Sequence, residues 1–333
     1  MSTPLSTLPS EPPDSYQALA EYFTDGKAVN PFELRRETMR RIEEVTGRPL
    51  ICYVAKTQNL SPGVPAHIDD SDLVGVSDLI RSSPAEKIDV LILSNGGSPE
   101  AAERIVHLLR AQYGGVRFIV PGNAFSAATL ICFSGDTIVM TLESTLGPID
   151  PQINGVPARA ILRAFETLEE RLKTEGPRAL PAYVPLLSRY DLHILEICKS
   201  AQDLSSELAI RWLSDYMLKC ADTEEKVLKT VQFFANYDIH KSHGRSIDRR
   251  RAADMLSVEI TENLGLDSLV RSLYLQYVFW FEKTAFYKNF ECVRGINWGR
   301  QAAPMNVQFP LNVPPIQLPS PTPPGPPQKS NQA

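Results

Sequence analysis

Short unbroken apolar runs alternate with amphipathic stretches through the first half of the chain. IDVLILS (88–94), GGVRFIVP (114–121) and DTIVMTL (136–142) each contain a continuous apolar core, as in strands covered on both faces. Between the first two, SPEAAERIVHLLRAQ has helical spacing. Between the second two, GNAFSAATLICFSG starts with small residues and becomes helical. PLICYVA (49–55) reads as an earlier buried strand, and DDSDLVGVSDLI (69–80) as a helix opened by a capping Asp. Strand, helix, strand, helix, strand at these spacings predicts βαβ units and an α/β fold with a largely parallel sheet.

Upstream, YQALAEYF and FELRRETMRRIEEV have helical spacing, with Pro31 suited to a first helical turn. Downstream, from 158 to 237, the pattern is helical almost throughout. HKSHGRSI interrupts it, DRRRAADML resumes it, and 266–290 reads as one last helix. The ends differ from the middle. Residues 1–14 are rich in Ser, Thr and Pro, and residues 304–333 are so Pro-rich that they cannot build a core. The expected organisation is a loose arm (1–14), an α/β core (15–157), a helical region (158–303) and a disordered tail (304–333). No internal repeat is visible.

The 333-residue chain is 43% apolar and carries a formal net charge of −5. No basic stripe offers a phosphate-binding face, which argues against nucleic acid as a partner. The N-terminus has neither a basic n-region nor an apolar h-region, and no apolar run approaches the ~18 residues of a membrane span. The five cysteines are scattered and lack a CxxC spacing, which fits reduced thiols in a cytoplasmic protein rather than a disulfide or zinc scaffold.

Four places carry candidate chemistry. Ser126 follows a buried strand where a helix begins, among Ala124, Ala127 and Ala128. Free backbone N–H groups and the helix dipole suit an attacking alkoxide and an oxyanion there. The same position suits a capping serine, which is the commoner reading of so unspecific a string. Gly96-Gly97 permits a tight turn with exposed N–H donors, or a plain strand-to-helix turn. Asp150, between Pro148 and Pro151, is held rigidly enough to orient an imidazole or to form a turn. His240 and His243 fall at a break between helices, where either can serve as a general base or make loop hydrogen bonds. No third ligand completes a metal site with them, and no cofactor motif is present.

Taken in order, SNGGSPEAAERIVHLL, PGNAFSAATLI, DTIVMTLESTLGPIDPQ and HKSHGRSI resemble the serine dehydrogenase proteinase family, relatives of the Clp proteolytic subunit and of signal peptide peptidase A. The resemblance covers roughly residues 43–260. It implies a Clp/crotonase-like spiral of βα units and a serine-type endopeptidase acting on proteins or peptides. It also implies a triad of Ser126, Asp150 and His243, with His240 as the fallback base. Gly97 and Ala127 would supply oxyanion N–H donors, with Gly96 shaping the turn. No cofactor or metal is implied.

Two departures stand out. Ala128 replaces a usual Gly, and the N-terminal membrane segment common among relatives is not seen, which points to a soluble form. A Ser–Lys dyad using Lys173 or Lys199 is the competing mechanism. A catalytically silent scaffold and an acyl-CoA enzyme of the crotonase type are the competing functions. Relatives assemble into rings or stacks, so a homo-oligomer is expected, with the aromatic helix carrying Leu273, Tyr277, Phe279, Trp280 and Phe281 as a candidate interface.

Overall fold

The computed structural model describes residues 9, 11–24, 30–188, 190–191, 193–219, 224–261 and 264–302. Most of the expected arm, Cys220 and the Pro-rich tail lie outside the described residues. Two helices open the chain, α1 (Tyr16–Thr24) and α2 (Pro31–Thr46). Asn30 caps α2 by accepting the Phe32 N–H, Pro31 takes the first turn, and Gly47 ends the helix at φ +67°. The βα units follow: β1 (Leu50–Ala55), α3 (Leu73–Ser82), β2 (Lys87–Leu93), α4 (Pro99–Gln112), β3 (Gly115–Val120), β4 (Asn123–Ala124), α5 (Ala127–Phe133) and β5 (Thr137–Met140). Then come β6 (Thr145–Leu146) and a hairpin of β7 (Gln152–Ile153) and β8 (Val156–Pro157). The second half contains α6 (Ala158–Glu175), α7 (Leu180–Leu187), α8 (His193–Trp212), α9 (Glu224–Ala235), α10 (Tyr237–His240), β9 (Ile247–Asp248), α11 (Arg249–Ala253), β10 (Val258–Ile260), α12 (Leu264–Lys283), β11 (Phe286–Cys292) and β12 (Asn297–Gln301).

The central sheet runs in the order β10-β5-β3-β2-β1-β11-β12. Its first five strands are mutually parallel, and β11 and β12 are antiparallel to their neighbours. Side chains alternate faces along each strand. Ile51, Tyr53, Val90, Ile92, Phe118, Val120, Ile138 and Met140 meet α3, α4 and α5 in one apolar layer. Leu50, Cys52, Val54, Leu91, Leu93, Ile119 and Val139 meet α2 and α12 in the other. Both faces are covered, which explains why these strands read as continuous apolar runs.

The helices expected after residue 158 are present, but they are not all that this half contains. Residues up to Ala302 form one compact unit, and three strands from this half return to the central sheet. The helix expected over 266–290 stops at Lys283, and Phe286–Cys292 is strand β11. Its sequence, FYKNFEC, hides this because its buried faces include Lys288, Asn289 and Glu291. The aromatic helix is not an open interface. Leu273, Tyr277 and Phe281 are buried in the molecule's own core. Phe279 stacks on Phe23 of α1 at 5.1 Å, and Trp280 lies 5.2 Å from Phe286, ring centre to ring centre.

Candidate active site

A second, three-stranded sheet, β4-β6-β9, frames the site. Ala124 pairs with Leu146 in parallel, and Leu146 pairs with Ile247 antiparallel. Ser126 lies two residues beyond Ala124, and Asp150 four residues beyond Leu146. His243 lies four residues before Ile247. Because β9 runs against the other two, all three residues leave the same end of this sheet.

Ser126 sits at the sharp turn into α5 with φ +53° and ψ −121°. This is a costly backbone for a non-glycine residue, about 1–3 kcal/mol, and it persists only where the surroundings enforce it. Several contacts do so. Phe125 donates its N–H to the Ser94 carbonyl at 3.0 Å, and Ala128 donates to the Phe125 carbonyl at 2.9 Å. The buried Thr129 hydroxyl bridges the carbonyls of Ala124 (2.7 Å) and Gly147 (3.0 Å), tying the helix that follows Ser126 to the segment that leads to Asp150. The Ser126 side chain makes no capping hydrogen bond, so the hydroxyl is not spent on the helix end.

Gly96 is required by close approach. At φ +95°, a Cβ there would stand 2.6 Å from the Phe125 oxygen and from the Ser126 Cβ. Gly97 leaves even less room, since its Cβ would stand 2.3 Å from the Ile68 oxygen. The Gly96 N–H is engaged by the Ser94 hydroxyl at 3.1 Å. The N–H groups of Gly97 and Ala127 have no acceptor among the described residues. Both residues line the same cleft as Ser126, about 580 Å³ in volume. Ala128 is fully buried in the core, so its extra methyl does not enter that cleft.

Asp150 is 2% exposed, and its Oδ1 accepts a 3.0 Å hydrogen bond from Nδ1 of the partly exposed His243. The residue before Asp150 is fixed at both its N–H and its carbonyl. The Ile149 N–H donates to the Phe234 carbonyl at 2.9 Å, and the Ile149 carbonyl accepts from Ser205 Oγ at 2.8 Å. His240 is committed elsewhere. It is buried, and its Nε2 donates to the Phe233 carbonyl at 2.6 Å. Burial pushes its pKa below the ordinary 6.5, and the nearby Arg251 and Arg245 add to that. Lys173 is exposed and paired with Glu169 at 2.6 Å, and Lys199 is exposed. Among the described residues, no group of three or more His, Cys, Asp or Glu could hold a metal ion. No helix there is long and apolar enough to cross a membrane.

Two walls of the cleft had escaped the sequence. One is α8, which contributes Ile197, Leu204 and Ser205, and nothing in its amphipathic pattern marks it as such. The other is the β7–β8 hairpin, which contributes Gln152 and Ile153. Its signal was present: Asn154-Gly155 has φ +52° and +79°, the two positive values of a tight hairpin turn.

The chain is similar to two uncharacterized proteins of Methanocaldococcus jannaschii. One is 27% identical over 204 residues, 57% of this chain and 69% of the relative. The other is 33% identical over 138 residues, 40% of this chain and only 48% of the relative's own length. Among solved structures, a ClpP1 mutant from Listeria monocytogenes is similar over 67% of this chain and 98% of that one, at 14% identity and a TM-score of 0.35. Residues 26–175 match the model of the ClpP-like SDH-type serine proteinases. Over that segment, the chain is similar to the ClpP-like SDH-type serine proteinases.

Proposed function

We propose that the protein is a serine endopeptidase in which Ser126 is the nucleophile, His243 the general base and Asp150 the residue that orients it. The observation that carries this reading is the strained Ser126 turn, opening on a cleft with two free amides, beside a buried Asp150 bonded to His243. With Nδ1–H donated to Asp150, the Nε2 of His243 is the nitrogen left to take a proton. Ser126 Oγ attacks the substrate carbonyl and its proton passes to Nε2. The tetrahedral oxyanion is held by the N–H groups of Gly97 and Ala127. Collapse breaks the C–N bond, His243 returns the proton to the leaving amine, and water then hydrolyses the acyl-enzyme by the same steps reversed.

His243 is preferred to His240 because the latter's Nε2 already donates to a backbone carbonyl. A lysine base is disfavoured because Lys173 is solvent-exposed and ion-paired on the surface of α6, where the Glu169 carboxylate raises its proton affinity. The burial of Ala128 in the core removes one motive for reading the chain as a silent scaffold. A fluorophosphonate probe should label the wild-type protein and leave Ser126→Ala unlabelled. Equal labelling of both would sink the assignment.

A further inference from the structure

We propose that Ser94 and Lys288 are positioning residues for the Gly97 amide; this rests on the reading of that amide as an oxyanion donor. Ile68 forms an isolated parallel bridge with Gly97. Its N–H donates to the Gly96 carbonyl at 2.8 Å, and its carbonyl accepts the Ser98 N–H at 2.9 Å. In that pairing, the residue between the two bonded peptide units, Gly97, turns its own N–H away from the partner strand. A trans peptide makes this strict: with the Gly96 carbonyl held toward Ile68, the Gly97 N–H of the same unit points the opposite way. The direction of the amide is therefore set by where residue 68 stands.

Residue 68 is in turn held by a charge from the far end of the chain. Lys288, on β11, is 1% exposed. Its Nζ donates to the His67 carbonyl at 2.6 Å and to both oxygens of the buried Asp72, at 2.8 and 2.9 Å. It also lies 3.4 Å from Asp69 Oδ2. Asp72 further accepts the Tyr53 hydroxyl at 2.8 Å and the Asp69 N–H at 3.1 Å. Residues 67–72 are thus gathered around one ammonium group. Lys288 lies outside the segment that carries the family match.

Ser94 holds the other side of the same turn. It is fully buried, and its hydroxyl accepts the Gly96 N–H at 3.1 Å. Its backbone bonds to Asn123 and Phe125 at 3.1 and 3.0 Å fix that turn against the Ser126 elbow. With one peptide unit held by Ser94 and the next by Ile68, neither unit of the Gly96-Gly97 turn is free to rotate.

The test uses the full chain, a fluorogenic peptide amide, the matching peptide aldehyde and the matching peptide acid. Ser94→Ala removes one buried hydroxyl and nothing else. Lys288→Met is combined with Asp72→Asn, so that no lone carboxylate stays buried. Complete loss of one oxyanion donor costs about 10²–10³ in kcat, so a misaimed donor should cost about tenfold or more in each variant, with KM within about twofold. Affinity for the aldehyde, which forms the tetrahedral adduct, should fall by the same factor as kcat/KM, while affinity for the acid is kept. A folded variant with wild-type kcat and wild-type aldehyde affinity removes that residue from the proposal. Equal losses for aldehyde and acid would mean a merely structural role and overturn it too. Ser126→Ala is run in the same assay: turnover that survives it defeats the peptidase reading itself, whatever the other variants do.

Discussion

Strands β2 and β11 are each seven residues long, lie in the same sheet and are almost wholly buried, yet they are held there by different forces. β2, KIDVLIL, places Ile88, Val90, Leu91, Ile92 and Leu93 in the two apolar layers. Its one buried charge, Asp89, is met by Arg117 on the neighbouring strand at 2.8 Å. β11, FYKNFEC, buries Lys288 and Glu291, and their partners come from far earlier in the chain, Asp72 for the first and Arg35 for the second. The parallel part of the sheet rests on apolar burial, at about 25 cal/mol per Å² of surface removed from water. The returning strand rests on specific pairs, whose value is mostly the penalty for breaking them. The same division runs through the candidate site: Ser126, Gly97 and Asp150 come from the first region, and His243 comes from the second.

The largest effect is expected where the two regions meet in the proposed triad. In Asp150→Asn, the amide can turn its NH2 toward His243 and hold the wrong tautomer, with little change of shape. In a serine peptidase, that change lowers kcat about ten-thousand-fold. Steady-state kinetics on a peptide substrate should show this loss with an unchanged melting temperature. Activity within tenfold of wild type would mean that the Asp150–His243 bond serves only to close the fold.

Next in size is the pair that anchors β11. Arg35 Nη2 lies 2.6 Å from Glu291 Oε1, both groups are buried, and Glu291 also accepts the Tyr277 hydroxyl at 3.0 Å. Removing one partner leaves a buried charge uncompensated, so Glu291→Ala should cost about 3–5 kcal/mol in denaturant unfolding. Replacing both with apolar residues, as in Arg35→Met with Glu291→Leu, should restore most of that loss. By contrast, Ile92→Val in β2 should cost about 0.5–1.5 kcal/mol. The comparison breaks if Glu291→Ala costs no more than Ile92→Val.

The contrast also explains what could be read in advance. The central strands from Leu50 to Met140 announced themselves because both faces are apolar, and Pro31 and the capping Asp69 marked helical starts around them. The residues proposed for the site could be singled out for a related reason. Gly96-Gly97 follows β2, Ser126 follows the short β4, and Asp150 lies four residues beyond β6, at turns where small or rigid residues are conspicuous. β11 was not legible, because hydropathy cannot see that Lys288 and Glu291 will be neutralised by residues more than 200 positions away. Nor could it separate His240 from His243: each lies in the same short break, and only the fold decides which one meets a carboxylate and which one meets a carbonyl.

His240 gives the smallest effect and the finest test, since it is a buried polar group of the second region that is stable uncharged. Burial lowers its pKa, with Arg251 and Arg245 acting in the same direction, against the Phe233 carbonyl and Asp150, which act to raise it. A histidine with a depressed native pKa is protonated first in the unfolded chain. Above the ordinary value of 6.5 neither state carries the proton, and the native state has its full stability. As pH falls below that value toward the native pKa, the unfolded state takes the proton and stability is lost, by at most about 1.4 kcal/mol per pH unit for one group. Denaturant midpoints between pH 7.5 and 5 should therefore fall more steeply for the wild type than for His240→Gln, which has no titrating ring. Parallel curves would mean that His240 is charged in the native state, and the second region would then hold an unpaired buried cation, contrary to the rule that Lys288 and Arg35 obey.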